Sequence, residues 1–384
     1  MVVTAIYLDH NATTPLDPEV RAEMAACFEG VFGNPSSIHG FGQEARRMVD
    51  QARGRVARLI GAQPEEIVFT SGGTEADNLA ILGAVAAAKQ ERPRVVATSI
   101  EHQAVLNPCR YLKQRGHSVT FLAVDHNGLI DPQAALAALR SETVIVSIML
   151  ANNDTGVIEP LLAVSEATRE RGILLHTDAV QAVGKIPVDV KDLGVNLLTI
   201  SGHKLHGPKG IGALYVRKGT TLSPLIFGGH QERGLRPGTE NVAAIVGLGK
   251  ACELAKARLT EDAARLIALR ASFEAAVCEQ IPGTSINGHG APRLPNTTNI
   301  SFEGLDGELL AINLDLLGVA VSTGAACSSG DHEPSHVLQA MGRSFDQARA
   351  AIRFSFGRGN TTEDVTRAVE LVGQAVEAMR LTRL

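Results

Sequence analysis

The decapeptide Ser201-Gly202-His203-Lys204-Leu205-His206-Gly207-Pro208-Lys209-Gly210 sets a lysine among glycines and histidines, directly after an apolar run, Leu197 to Ile200. An amine at a buried strand end, beside cationic neighbours, loses proton affinity and becomes a nucleophile. Lys204 therefore reads as a Schiff-base lysine. The alternative is a glycine-rich turn with a solvated lysine, the common fate of this residue type. Thr70-Ser71-Gly72-Gly73-Thr74-Glu75 lies between a short apolar run and a helical segment. Glycines there admit an anion to the N–H groups and positive dipole end of a helix, and Thr74 adds a hydroxyl. A plain helix cap accounts for the same residues.

His102, in Glu101-His102-Gln103, follows the strand Val95 to Ala97. Its imidazole suits stacking on a flat ring or moving a proton; a hydrogen-bonded rim histidine is the other reading. Asn152-Asn153-Asp154-Thr155-Gly156 follows a run ending at Leu150 and serves either to orient a ligand or to form an Asx turn. Asp178 closes the apolar run from Ile173 to Leu175 in His176-Thr177-Asp178-Ala179-Val180-Gln181. A buried carboxylate needs a cationic partner, which is a nearby Arg or Lys or else a pyridinium nitrogen. Phosphate cradle, stacking histidine, pyridinium partner and imine lysine together fit pyridoxal phosphate. A nucleotide fits worse, because no G-x-G-x-x-G follows a strand and no Walker lysine is present.

Cys327 stands in Thr323-Gly324-Ala325-Ala326-Cys327-Ser328-Ser329-Gly330, among small residues. Cysteine is usually buried, so one on a glycine- and serine-rich loop is a candidate nucleophile. Cys27, Cys109, Cys252 and Cys278 fall in helical, apolar settings and read as core. Five scattered cysteines without a C-x-x-C pair suggest neither a disulfide framework nor a zinc site. His332 and His336 could join Cys327 around a metal, but Pro334 between them argues against it, and no metal is expected.

Positioning these groups falls to an alternation of short apolar strands and helices from Ile67 to His176. That pattern implies βαβ crossovers and a mainly parallel sheet covered on both faces, with ligands beyond the carboxyl ends of its strands. A helix over Gln43 to Ile60 carries Arg46, Arg47, Arg53, Arg55 and Arg58, expected as a solvated or partner-facing surface. A long helix, Asn241 to Gln280, leads to a smaller α+β region with strands at Thr297 to Phe302, Val319 to Ser322 and Ile352 to Phe356. The expected division is a large α/β domain over residues 15–255, and a small α+β domain of residues 1–14 and 256–384 that carries the Cys327 loop. The polar loop Gly228 to Asn241 either caps a site, crosses a dimer interface or simply connects.

The chain has 384 residues, 45% hydrophobic and 20% charged, with a net charge of −5. That balance argues against nucleic-acid or membrane-surface binding, and the absence of tryptophan argues against base stacking. Met1 to Pro15 shows no basic region followed by an apolar core, so no signal peptide is expected, and no run is long enough to span a membrane. A reducing cytoplasm fits these features.

Over nearly its whole length the sequence resembles the group I cysteine desulfurases of NifS and IscS type, class V aminotransferase-like proteins. S-G-H-K-L-H-G-P-K-G around Lys204, G-G-H-Q-E-R-G-L-R-P-G-T-E-N ending at Asn241 and G-A-A-C-S-S-G-D-H-E-P-S-H-V-L around Cys327 carry the resemblance. It implies an aspartate aminotransferase-like fold (fold type I) and a homodimer that converts L-cysteine to L-alanine. The sulfur would pass to Cys327 as a persulfide, for delivery to an acceptor such as an iron–sulfur scaffold protein. By the same resemblance, Lys204 would hold pyridoxal phosphate, His102 would stack on its ring and assist proton transfer, Asp178 would bind the ring nitrogen and Gln181 the phenolic oxygen. Gly73, Thr74, Ser201 and His203 would take the phosphate, with Thr239 reaching it from the other subunit. Asn153 would lie by cofactor and substrate, and Arg353 would pair with the substrate carboxylate. A persulfide on Cys327 would also be able to ligate iron. Asp154 stands where the family more often has glutamate, and the chain stops at Leu384, short of the tail that some relatives use to dock a scaffold. A class V aminotransferase or a selenocysteine lyase is the alternative activity.

Overall fold

The computed structural model describes residues 5–323 and 334–381. In chain order the first elements are β1 (Ile6–Tyr7), α1 (Pro18–Gly30), α2 (Gly40–Leu59), β2 (Ile67–Thr70), α3 (Gly73–Ala87), β3 (Arg94–Thr98), α4 (Gln103–Gln114) and β4 (Ser118–Leu122). Next come α5 (Pro132–Ala138), β5 (Thr143–Ser147), α6 (Leu162–Glu170), β6 (Leu174–Asp178), α7 (Val190–Leu193), β7 (Leu197–Ser201) and β8 (Gly212–Val216). The remainder is α8 (Val242–Gln280), β9 (Thr284–Ile286), β10 (Thr297–Phe302), α9 (Gly307–Leu316), β11 (Val319–Ala320), α10 (His336–Ala340), α11 (Phe345–Arg349), β12 (Ala351–Ser355) and α12 (Thr362–Leu381).

Seven strands form the main sheet in the order β2-β8-β7-β6-β5-β3-β4, and only β8 runs against the others. The strand–helix alternation predicts the six parallel strands but not β8. This strand follows the Lys204 loop with no intervening helix, so it returns antiparallel between β2 and β7. Strands β2, β5, β7 and β8 are buried along their whole length, which is why they read as unbroken apolar runs rather than alternating ones. Helix α1 is also absent from the pattern reading. Its start is nevertheless written locally: Asp17 accepts from the Glu19 N–H and Pro18 opens the first turn.

Two main hydrophobic clusters organise the chain. One joins the sheet face to α2 and the first half of α8, from Ala244 to Ala255. The other gathers Leu8, Phe302, Phe354 and Phe356 around Leu266 to Val277, farther along the same 39-residue helix. Helix α8 thus threads both, and it fixes a three-stranded antiparallel sheet, β12-β10-β9, against the larger body.

Two expectations need correction. Arg53 is not part of a solvated face: it is 8% exposed, forks onto Glu232 at 2.6 and 2.7 Å, and lies 4.6 Å over the Phe69 ring. Helix α2 turns that flank into the core because Val49, Ala52 and Val56 share its apolar stripe. Cys278 is exposed on α8, one residue past buried Val277, whereas Cys27, Cys109 and Cys252 are buried as expected.

Candidate active site

The carboxyl ends of five parallel strands open on one cavity of about 340 Å³. After β2 come Gly73 and Thr74; after β3, His102; after β5, Ala151 and Asn153; after β6, Val180 and Gln181; after β7, His203 and Lys204. Asp178 and Ser201 are themselves the last residues of β6 and β7, and Arg353 enters from β12 together with Asn11 and Ala12. An open groove of about 860 Å³ beside Glu303 and Asp306 is larger but brings no such convergence of groups.

Lys204 is partly buried in a single 3-10 turn, and its Nζ donates to the carbonyls of Asn11 and Ala12, the latter at 2.6 Å. The solvated-lysine reading is thereby excluded. The Asn11 carbonyl also accepts from Gln181 Nε2 at 2.9 Å, and Gln181 Oε1 accepts from Lys185 Nζ at 2.6 Å. Arg353 is 4% exposed. Its Nη2 donates to Asp9 at 2.8 Å and its Nη1 to the Asn153 carbonyl at 3.1 Å, while its Nε is buried without a partner.

The opposite wall is acidic. Asp178 Oδ1 accepts from the Val180 N–H at 2.9 Å, and no Lys or Arg among the described residues forms an ion pair with it. Burial raises its pKa, against the pull of His102, the Val180 N–H and Lys204. Asp77, from α3, lines the same wall. Burial, then the Asp178 charge, push its pKa well above the carboxylate range, and its Oδ1 is buried without a hydrogen bond, 3.5 Å from His176 Nε2. His176 is held neutral, its pKa pushed down to about 3 by burial, between Ser147 Oγ at 2.8 Å and Thr199 Oγ1 at 3.1 Å. Oxygens of Asp77 and Asp178 and a ring nitrogen of His102 lie within 4.8 Å of one another. His102 caps α4, its Nδ1 accepting from the Ala104 N–H at 3.1 Å, which leaves the proton of the neutral ring on Nε2.

Between these walls lies the start of α3. No side chain caps it: Gly72 occupies the cap position, and Glu75 reaches back to the Ser71 N–H instead. Its first N–H groups therefore face the cavity beside Ser201 and His203, whose imidazole falls to a pKa of about 4 through burial and then the charges of Lys204 and Lys209. A Cβ at Gly73 would sit 3.0 Å from Val180 Cγ2, so any side chain there would require Val180 to give way.

These features fit pyridoxal phosphate. A carboxylate without a cationic partner would suit the ring nitrogen, an uncapped helix start the phosphate and an inward amine the aldehyde. Two carboxylates and an imidazole would suit a metal as well, but only an organic cation that also carries a phosphate uses the α3 start and Lys204.

Of the residues expected from sequence, Gly73, Thr74, His102, Asn153, Asp178, Gln181, Ser201, His203, Lys204 and Arg353 come together in this cavity. Thr239 does not: it is exposed on the Gly228–Asn241 loop and does not line the cavity of its own chain. Cys327 and His332 lie outside the described residues, and His336 Nε2 is bonded to the Glu101 carbonyl at 3.0 Å. Asn152 forms the Asx turn, its Oδ1 accepting from the N–H groups of Asp154 and Thr155 at 2.9 and 3.0 Å. Asp154 is structural, accepting from Asn299 at 2.8 Å and from the Ser335 hydroxyl. Sequence reasoning misses Asp77, Asn11 and Lys185. An acid inside the alanine- and leucine-rich run from Thr74 to Lys89 is the signal that points to Asp77.

The family model described as aminotransferase class-V matches residues 6–368. A relative named cysteine desulfurase IscS, from Dictyoglomus turgidum, is 48% identical over 98% of this chain and 95% of its own. The solved structure of a NifS-like protein superposes with a TM-score of 0.91 at 37% identity, covering 98% of this chain and 100% of that one. A structure titled SspA in complex with cysteine gives 0.82 at 37% identity, over 91% and 98% of the two chains.

Proposed function

The chain belongs to the class-V aminotransferase family and is a pyridoxal-phosphate-dependent cysteine desulfurase, and we propose that Lys204, His102 and Cys327 carry its reaction. In this assignment Lys204 holds the cofactor's aldehyde carbon, Asp178 its ring nitrogen and Gln181 its phenolic oxygen. Gly73, Thr74, Ser201 and His203 hold the phosphate, joined by Thr239 from a second copy of the chain. Bound there, the cofactor supplies an electron sink for the pair released at the carbon bearing the substrate's amino group.

The protein's own groups do the rest. Arg353 and Asn153 orient the carboxylate of L-cysteine; the guanidinium is already aimed by Asp9 and the Asn153 carbonyl, so little freedom is lost on binding. Lys204 Nζ takes the proton from the substrate α-carbon, and His102 Nε2 is placed to carry a proton across the same wall. The Cys327 thiolate takes the substrate sulfur: the carbon–sulfur bond breaks, a sulfur–sulfur bond forms, and the three-carbon skeleton leaves as L-alanine. The net change is one thiol and one L-cysteine giving one persulfide and one L-alanine.

One observation carries this assignment: Lys204, the Asp178 carboxylate and the uncapped start of α3 share a single 340 Å³ cavity. The test is direct. Protein supplied with pyridoxal phosphate should show a visible band that borohydride bleaches, and the band should be lost in Lys204→Ala. Incubation with L-cysteine should add one sulfur atom to the Cys327 peptide in a mass spectrum. A bleachable band that survives Lys204→Ala, or sulfur added to another cysteine, would overturn the assignment.

A sulfur acceptor such as an iron–sulfur scaffold protein, a homodimer and a cytoplasmic setting complete the proposal. Exposure of Thr239 away from its own cavity supports the dimer. Among the described residues no helix is long and apolar enough to cross a membrane. Apart from Leu294 in the first, the two hydrophobic clusters fall on either side of a division into residues 15–255 and residues 1–14 with 256–384, and they support it.

A further inference from the structure

Lys185 has no place in the family assignment above and does not line the cavity, yet it touches two residues that shape it. Its Nζ donates to Gln181 Oε1 at 2.6 Å and to Asn11 Oδ1 at 3.2 Å. Gln181 Nε2 donates in turn to the Asn11 carbonyl, which also receives Lys204 Nζ. A donor on one side of the amide and a carbonyl on the other leave only one orientation of the Gln181 side chain. Rotating it by half a turn would set Nε2 against the lysine and Oε1 against the carbonyl. The second Nε2 hydrogen is thereby kept for the cavity. Asn11 is held as firmly: its Oδ1 accepts from Asn296 at 3.1 Å, and its Nδ2 donates to Thr297 at 2.9 Å and to the Asn153 carbonyl at 3.1 Å.

The charge around Lys185 is lopsided. Lys204 on the turn after β7 and Arg353 on β12 act on it as cations, and burial together with these two drives its pKa well below the usual value. His10, His206, Arg358 and Asp262 share a small hollow with it. His10 falls to a pKa of about 3 and His206 to about 4, both chiefly through burial, while Asp262 is bound to Arg358 at 2.7 Å and Asp9 to Arg353 at 2.8 Å. No carboxylate among the described residues pairs with Lys185.

We propose that Lys185 is a positioning residue for the cofactor: it locks the Gln181 amide with its N–H toward the phenolic oxygen. The proposal rests on the cofactor assignment above. Removing the amine leaves Gln181 Oε1 without its donor and frees the amide to turn.

The experiment compares wild type, Lys185→Met, Gln181→Leu and the double variant, titrating each apoprotein with pyridoxal phosphate and following the visible absorbance of the bound cofactor. Lys185→Met should weaken cofactor binding about tenfold, the scale of one hydrogen bond, and shift the visible absorbance maximum of the bound cofactor, because the amide no longer holds its N–H toward the phenolic oxygen. In the Gln181→Leu background the same substitution should weaken binding by less than about twofold, because the two side chains act together. Lys185→Gln keeps a donor for Gln181 Oε1; it should restore both binding and the absorbance maximum, and it carries the test if Lys185→Met does not fold. An unmoved absorbance maximum, or binding losses that multiply in the double variant, would overturn the proposal. Failure of the wild type to form a bleachable band would instead overturn the cofactor assignment itself.

Discussion

Glu101→Gln tests whether buried acids beneath the site are kept protonated. Glu101 is fully buried where the end of β3 meets the end of β5; its Oε1 accepts from Thr98 Oγ1 and from the Met149 N–H, both at 2.8 Å. Its Oε2 is buried with no partner, and burial pushes the pKa from 4.5 up to about 8. A carboxyl whose pKa rises on folding adds stability that is fully present below the unfolded value and lost as pH climbs to the folded one. A tenfold difference in proton affinity between the folded and unfolded chain is worth about 1.4 kcal/mol. Ionisation should therefore cost about 1.4 kcal/mol per pH unit between 4.5 and 8, roughly 5 kcal/mol in all. Glutamine keeps the acceptor for Thr98 and Met149 and cannot ionise. The assay is urea unfolding of both proteins from pH 4.5 to 9. The stability of the variant minus that of wild type should rise steadily to about pH 8 and then level off. Both proteins should gain stability on acidification through Glu159, also pushed up to about 8 by burial, so only the difference between them is diagnostic. Parallel profiles would refute the reasoning, since they would mean that Glu101 is ionised in both states or solvated in the folded one.

Three other substitutions probe the site and its supports. Arg353→Lys cannot hold both Asp9 and the Asn153 carbonyl while presenting a fork to a carboxylate, so KM for L-cysteine should rise ten- to hundredfold with a smaller change in kcat, measured by alanine formation. Asp178→Asn removes the anion assigned to the ring nitrogen. Cofactor affinity, read by titration of the apoprotein, should fall about a hundredfold or more, the scale of breaking a buried charge pair, whereas the apoprotein should melt no lower than wild type. Glu232→Gln leaves the Arg53 guanidinium buried beside a neutral partner and should cost about 3–5 kcal/mol, read as a lower melting temperature with the Arg53→Met, Glu232→Gln pair recovering much of it.

The site was legible in the sequence to the extent that parallel strands announce their own ends. Strands buried on both faces read as apolar runs, so the first polar residues after Ile200, Leu175 or Phe69 mark where chain emerges at the ligand edge. Lys204, Asp178 and Thr74 were found in this way. What escaped depends on contacts between distant segments. Arg53 reads as one more arginine on a basic helix, because its partner Glu232 is 179 residues away in a loop. Asp77 sits in an apolar helix and is significant only because β6 brings Asp178 against it. Helix α1 escaped for a different reason: it has weak amphipathicity, so capping rather than periodicity was the only local sign.

The distribution of charge across the cavity explains why one ligand satisfies so many separate observations. Asp77 and Asp178 face inward from α3 and β6, while Lys204, Arg353 and, one layer behind, Lys185 occupy the other side. Arg353 has its counterion in Asp9, but Asp178 and Lys185 each lack one among the described residues. A ligand bearing both a cation and anions would suit both walls at once, and pyridoxal phosphate carries both, a protonatable ring nitrogen together with a phenolic oxygen and a phosphate. The polarity also gives the two walls opposite pH behaviour. Raising the pH ionises Asp178, whose pKa burial raises, and takes the proton from Lys185, whose pKa burial lowers, so apoprotein should take up the cofactor best where Asp178 is ionised. The same asymmetry bears on orientation: Asp178 would hold the ring nitrogen on the acidic side, and Gln181, held in turn by Lys185, would meet the phenolic oxygen on the other.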